Sequence, residues 1–455
     1  MGIRSVGKIL TMAPLSGSIK NKVEIIGPFQ EFFKKIVNGS LLLSIAAIVA
    51  IIWANVSASY GSFWATELSL NIGDMHISKS LVHWIDEALM TLFFFTVGLE
   101  IKREVIVGEL SSLKKALLPV SAAIGGMVFP AVIYAAFNYN TDTANGWGIP
   151  MATDIAFSLA ILAVLGKRVP LGTRIFLTAF AIADDLGAVV IISIFYTKAI
   201  SWGFLLGALF LLCSIAIANY LWIRHTLVYA LLGIGVWICV LYSGVHATVA
   251  GVLVAFLIPS KGKDDTQTFI DKVNSYINDF QCQGECGHTI LLNKNHQNAV
   301  QSIEIACHEV ETPLRRLEYA LNPWVAFLIL PLFALANSGI TLGNIDVAGS
   351  VTHPVMLGIM FGLVLGKPIG IIFFTYLSVK ILKTDLQQGV RWIHIIGASF
   401  LGGIGFTMSL FISGLSFVDH EIIELAKFSI VLSSIISAIA GLGFLWYGYL
   451  NEKKL

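Results

Sequence analysis

Long apolar runs, each followed by a short polar connection, fill most of this chain. About twelve of them reach the length that a ~30 Å hydrocarbon core requires. They centre near 38–56, 82–104, 116–137, 147–165, 172–196, 202–222, 227–241, 243–258, 323–344, 355–380, 392–416 and 423–449. Only a tight Tyr242-Ser243-Gly244 turn separates the seventh from the eighth. The pattern predicts an all-α polytopic membrane protein. Residues 1–37 read as a cytoplasmic N-terminal segment, 38–258 as spans one to eight, 259–321 as an extended cytoplasmic loop, 322–450 as spans nine to twelve and 451–455 as a cytoplasmic tail.

The first connection departs from this rhythm. In Leu68-Ser69-Leu70-Asn71-Ile72-Gly73-Asp74-Met75-His76-Ile77-Ser78, apolar and polar residues alternate on both sides of Gly73-Asp74. Period-two alternation around such a pair predicts a β-hairpin near 66–79.

Basic residues orient the spans. Lys and Arg gather before the first span and in every second connection, as in Lys102-Arg103, Lys114-Lys115, Lys167-Arg168 and Arg315-Arg316. The intervening loops hold little beyond Lys79 and Lys198. The positive-inside rule then puts both termini in the cytoplasm. Composition agrees: 56% of residues are hydrophobic and 13% charged, against about 25% charged in a typical soluble chain. A net charge of +1 gives no basis for binding nucleic acid. The five cysteines do not form a disulfide framework. Cys282, Cys286, His288, His296, Cys307 and His308 share the long polar loop. Their spacing matches no strong zinc pattern, and a solvated, partly helical segment is the simpler reading.

Within the fifth run stand two adjacent carboxylates, Asp184 and Asp185. One ionised Asp at mid-membrane costs about 2.5–3.5 kcal/mol on insertion scales. Successive helical residues point ~100° apart, so one partner cannot shelter both. An ion path or a wet crevice follows; a buried acid pair in a soluble protein is the alternative that the other runs oppose.

Two further runs carry backbone-breaking chemistry near their centres. The fourth reads Gly148-Ile149-Pro150-Met151-Ala152-Thr153-Asp154-Ile155-Ala156-Phe157, and the eleventh Leu401-Gly402-Gly403-Ile404-Gly405-Phe406-Thr407-Met408. Proline removes a helical hydrogen bond and clustered glycine eases departure from the helix. Open backbone at this depth survives only against protein or a water cavity. Paired interruptions in corresponding halves are expected of inverted-topology repeats, here spans 3–5 and 10–12. Asp154 can balance the positive ends of half-helices. Lys367, in Gly366-Lys367-Pro368 about a dozen residues into the tenth run, is the cation that answers these acids. Its partner is a central aspartate or the negative end of a broken helix.

Several of these stretches resemble the NhaA family of sodium/proton antiporters. They are Ala152-Thr153-Asp154-Ile155-Ala156-Phe157, Ala183-Asp184-Asp185-Leu186-Gly187-Ala188, Gly366-Lys367-Pro368 and Gly403-Ile404-Gly405-Phe406-Thr407-Met408. Val97-Gly98-Leu99-Glu100-Ile101-Lys102-Arg103-Glu104 and Ser243-Gly244-Val245-His246-Ala247-Thr248 join them, in order, from about residue 30 to 450. This family is itself one of the cases behind the inverted-repeat rule, so the rule adds no independent support. The resemblance implies crossed, unwound fourth and eleventh helices in a bacterial inner-membrane protein. It implies sodium, and lithium as well, bound chiefly by Asp185, with Asp184 as a neighbouring proton carrier paired to Lys367. Thr153 and Asp154 would shape the site. Glu100 and Glu104 match acids of a cytoplasmic funnel, and Glu87, His246 and Glu318 match positions tied to pH response. The hairpin resembles a homodimer contact. An exchanger of this kind is not an enzyme and needs no cofactor beyond its ions, protons and surrounding lipid. Two departures stand out: the 259–321 loop is longer than the usual family connection, and Asn322 stands where some relatives carry His, which weakens a pH role there.

The residues alone support the same chemistry. Two close carboxylates in a low-dielectric crevice titrate as a coupled pair, and sodium and protons compete to neutralise them. Other readings stay open. Glu100 and Glu104, four apart on one helix face, fit a solvated charge cluster as well as a funnel. His246 fits a packing role as well as a pH switch. A sodium-coupled symporter would need a larger polar pocket. An intramembrane aspartyl protease needs aspartates from separate helices. A channel would lack counterflow.

Overall fold

The computed structural model describes residues 28–452, apart from 73–74, 198–199, 281–293, 342, 344–350 and 388. Cys282, Cys286 and His288 lie outside the described residues, as do positions 1–27 of the N-terminal segment.

The chain is mostly helical. Among the described residues, ten helices are long and apolar enough to cross a membrane. They are Gly39–Val56, Leu81–Val107, Leu113–Phe137, Ala144–Leu165, Leu171–Phe195, Trp202–Tyr220, Thr226–Ser243, Pro313–Asn337, Pro354–Ile381 and His420–Asn451. Trp392–Gly402 and Phe406–Ser416, bent by 42°, make an eleventh when taken together. Spans keep below the ordinals of the twelve apolar runs. The eighth run forms only Ala247–Leu257, roughly 16 Å of helix. Left-handed Gly244 (φ 85°) ends the seventh span before it, and extended Ile258 stops it. The expected twelve full-length spans are therefore ten or eleven by length.

The ninth span starts at Pro313, well before the expected 323. Thr312 accepts a hydrogen bond from the Arg315 N–H, and Pro313 occupies the first turn, a favoured N-terminal arrangement. Two wide π-helical turns, Val325–Ile329 and Gly362–Gly366, precede Pro331 and Pro368. A proline ring crowds the carbonyl four residues earlier, which in both cases falls inside the widened turn. Local π geometry absorbs that clash without breaking the span.

Glu67–Ile72 and Met75–Ser80 pair antiparallel, from Glu67 opposite Ser80 to Ile72 opposite Met75. The third span packs along the tenth and fifth, and the eleventh against the twelfth. At the closest point of the third and tenth, a Cβ on Gly125 would lie 2.2 Å from the Gly370 carbonyl oxygen, and one on Gly370 2.0 Å from that of Gly125. Spans two, six, seven and eight share a separate core around Leu99, Ile215, Tyr229 and Val236.

The long loop contains two helices, Thr266–Phe280 and Lys294–Val310, packed on each other. Lys272 Nζ donates to Asp264 Oδ2 at 2.5 Å and Glu309 Oε2 at 2.8 Å, and Lys263 closes on the other Glu309 oxygen. Two lysines beside it hold the Glu309 carboxyl down to about 2. No group of three His, Cys, Asp or Glu side chains converges as for a metal among the described residues.

Candidate ion-binding site

The two interrupted spans meet at their interruptions. In the fourth, tight 3₁₀ turns over Ala144–Met151 give way to extended backbone at Ala152 and Asp154, and α-helix resumes at Ile155–Leu165. In the eleventh, the chain leaves the helix after Gly402 and re-enters it at Phe406. Freed backbone groups are then satisfied across the gap. The Asp154 N–H donates to Ile404 O at 2.7 Å, and Thr153 Oγ1 donates to Gly402 O at 2.9 Å. Ser158 Oγ reaches Leu401 O, and Ser409 Oγ reaches Ile149 O, both at 2.7 Å.

Asp154 serves two helix N-termini at once. Its Oδ1 accepts from the Phe157 N–H at 3.0 Å. Its Oδ2 accepts from the Thr407 N–H at 2.9 Å and Thr407 Oγ1 at 2.5 Å. Each N-terminus presents roughly half a positive charge, so one buried carboxylate balances both. Thr407 was not singled out in the sequence; its place immediately after the glycine run, at the start of a resumed helix, was the available sign.

Beside this junction the fifth span presents Asp184 and Asp185, 0% and 1% exposed. Lys367, also 0% exposed, reaches across from the tenth span. Its Nζ donates to Asp184 Oδ2 at 2.9 Å and to the Met151 carbonyl, which the end of the 3₁₀ turn leaves free. The π-helical turn directly before Lys367 sets where this lysine emerges. Of the two aspartates, then, Asp184 is the partner. Thr153 lies close enough to Asp184 to interact with it electrostatically. Asp184 Oδ1 and both Asp185 oxygens are buried without any hydrogen-bond donor. Buried polar atoms rarely stay unsatisfied, and such exceptions call for an ion, a proton or a functional reason. The donor set around them is hard oxygen from carboxylate, hydroxyl and carbonyl, which suits an alkali cation.

The remaining expected residues make no hydrogen bond to this centre. Glu100, Glu104 and Glu318 gather toward the long-loop end of the second span, with Glu100 in electrostatic reach of Asp185. Glu87 lies at the other end, and His246 stands apart from both. At the long-loop end, Arg103 bonds Glu318 Oε1 at 2.5 Å and Glu104 Oε1 at 3.0 Å, tying the second span to the ninth. Glu100 lies one turn inward on the same helix as Glu104. Arg103 and Lys102 were quoted in the motif but not assigned; Lys102 Nζ donates to Phe256 O at 2.7 Å and to Ile258 O. Glu87 is at the hairpin end, about 20 Å from Glu100 along the helix, with His83 Nε2 at 3.7 Å from its Oε1. His246 stands before the short eighth helix, 2.9 Å from Thr248 Oγ1 and edge-on to Phe411 at 5.3 Å. Phe411 in turn meets Phe94 and Phe333, all three buried.

Known proteins resemble this chain in sequence along most of its length. The family model described as Na+/H+ antiporter 1 matches residues 30–445. A protein called Na(+)/H(+) antiporter NhaA 1 from Saccharophagus degradans is 45% identical over 434 residues, which span 95% of this chain and 93% of that protein. A Clostridium beijerinckii protein of the same name is 44% identical across 97% of this chain and all of its own length. The Na(+)/H(+) antiporter NhaA of Helicobacter pylori strain J99 is 44% identical, covering 92% of this chain and 94% of its own. With matches of this extent running through both interruptions and the paired aspartates, the chain belongs to the NhaA family of sodium/proton antiporters.

Proposed function

We propose that this chain is a secondary transporter that expels sodium, and lithium with it, in exchange for external protons. It sits in a bacterial inner membrane with both termini in the cytoplasm, the hairpin outside and the long loop inside. The observation that carries this reading is the buried Asp184–Lys367 pair beside an Asp185 whose oxygens have no donor. A monovalent cation and protons are alternative ways to neutralise those oxygens.

In this reading sodium enters from the long-loop end past Glu100 and Glu104, whose charges attract cations. Asp185 is its principal ligand, and Asp184 joins as Lys367 withdraws. Thr153 and carbonyls at the broken backbone complete an oxygen shell. The carboxylate pair of Asp184 and Asp185 and the Lys367 ammonium release protons on loading, so more than one proton moves against each cation and the exchange is electrogenic. Spans 3–5 and 10–12 act as inverted repeats whose crossed, interrupted helices hold the site while one bundle rocks against the other. Glu87, His246 and Glu318 adjust activity to pH, and the hairpin joins two copies into a dimer. The role is sodium and pH homeostasis; no catalysed bond change is involved.

Sodium-evoked proton release in inverted membrane vesicles tests the assignment. Asp185→Asn is expected to insert normally and lose at least ~100-fold of the exchange rate. Undiminished exchange in that variant would reject the site.

A further inference from the structure

Another group of ionisable side chains lies within the spans at the hairpin end, apart from the central site and from the Arg103 cluster. Asp86 is in the second turn of the second span, within a π-helical turn over Ile85–Leu89. Its Oδ1 accepts from Asn337 Nδ2, at the end of the ninth span, at 2.8 Å. Glu424, 8% exposed in the first turns of the twelfth span, accepts from Thr341 Oγ1 at 3.0 Å. Lys427, one turn further along, is within electrostatic reach of both carboxylates. Neither carboxylate has a hydrogen-bond donor on its second oxygen among the described residues.

Several features make this more than a solvated rim. Ionisable residues inside membrane spans are costly and rarely kept without a task. These come from the second and twelfth spans, far apart in sequence, whose neighbouring residues Ile85, Leu425 and Ala426 share one core. Two carboxylates face one ammonium, so the fully ionised group carries a net negative charge that draws protons. The helices that hold it also lead inward: Phe333 is one turn deeper than Asn337, Phe94 two turns deeper than Asp86, and both touch Phe411 on the eleventh span, which carries the interruption. The other titratable groups around it are Glu87 on the second span, Tyr60 from the short helix Ser59–Trp64, and His420, whose Nδ1 is 3.9 Å from Glu424.

We propose that Asp86, Glu424 and Lys427, braced by Asn337 and Thr341, form an outer proton-loading station that feeds the central carboxylates. This rests on the antiporter reading above. Asp86 and Glu424 hold the arriving protons, and Lys427 keeps them from being held too tightly.

The test uses the full chain in proteoliposomes, with the cytoplasmic pH fixed and the external pH varied. In the Asp86→Asn/Glu424→Gln double variant, exchange is expected to fall about five-fold at alkaline external pH, where protons are scarce, and little at acid external pH. Lys427→Met is expected to move the external pH of half-maximal rate about one unit alkaline, because an opposing positive charge is gone. Half-saturation by cytoplasmic sodium should not change in either. External-pH profiles that superimpose on wild type, or that fall by the same factor at every pH, would overturn the station and leave a packing role. Retained exchange in Asp185→Asn would instead defeat the antiporter reading, so the two failures are distinguishable.

Discussion

Of the places where this molecule sets lysine against acids, the long-loop clasp and the central site behave as opposites. In the helical hairpin of the long loop, Lys263 and Lys272 clasp Asp264 and Glu309, and Glu309 has a lysine on each carboxylate oxygen. That clasp is at the surface, where water screens the charges and each pair adds little to stability. Lys367, Asp184 and Asp185 have no exposed surface to speak of, and three of the four carboxylate oxygens lack a donor. The first arrangement is finished and quiet. The second is left incomplete in a medium where every missing partner is expensive, and in the proposed mechanism that incompleteness is what lets a cation and protons trade places.

The largest test of this contrast is Lys367→Met. Removing one member of a buried ion pair costs on the order of 3–5 kcal/mol, because the surviving charge is stranded. The purified variant should therefore melt well below wild type at pH 8 and much less so at pH 5, where a protonated Asp184 needs no counter-ion. Equal losses at both pH values would show that the lysine acts by packing. Next in size is Asp154→Asn. The amide keeps the shape but loses the charge that faces two helix N-termini, and its Nδ2 cannot accept the hydrogen bond on one of the two sides, a combined loss of about 2–3 kcal/mol. Thermal unfolding with and without sodium should show lower stability together with weaker protection by the ion. The smallest effect belongs to Glu309→Gln. The Glu309 carboxyl is held down to about 2, so its contribution is complete above the ordinary carboxylate range and is lost only as pH falls towards that value. Amide protection factors in 266–280 and 294–310, corrected for the intrinsic exchange rate, should then be constant between pH 6 and 9 in wild type, and the variant should loosen both helices while sodium/proton exchange changes less than two-fold. A titration of that hairpin near neutral pH would erase the contrast.

Much of this was legible before any coordinates. Apolar run length located the spans, and Pro150 with the Gly402-Gly403 and Gly405 cluster marked both interruptions, because these residues act on local backbone energy. Lys367 declared itself by being charged at depth. Other features are products of tertiary placement. Asp184 and Asp185 are chemically equal in sequence, and only the approach of the tenth span makes Asp184 the lysine's partner. The double use of Asp154 needs two N-termini brought together from residues some 250 positions apart. The true start of the ninth span was hidden because Arg315, Arg316 and Glu318 dilute its first turns, and the cap at Thr312 outweighs that polarity. Asp86 passed unnoticed beside Glu87, since at the end of an apolar run an acid looks like an ordinary boundary residue.

The bare contact of Gly125 with Gly370 has an evolutionary consequence. A tight fit can usually drift, since a bulkier residue on one side is offset by a smaller one opposite. Here both sides already hold the smallest residue there is, so no compensating substitution exists for either. Descendants of this chain can change the seam between these two helices only by prising them apart.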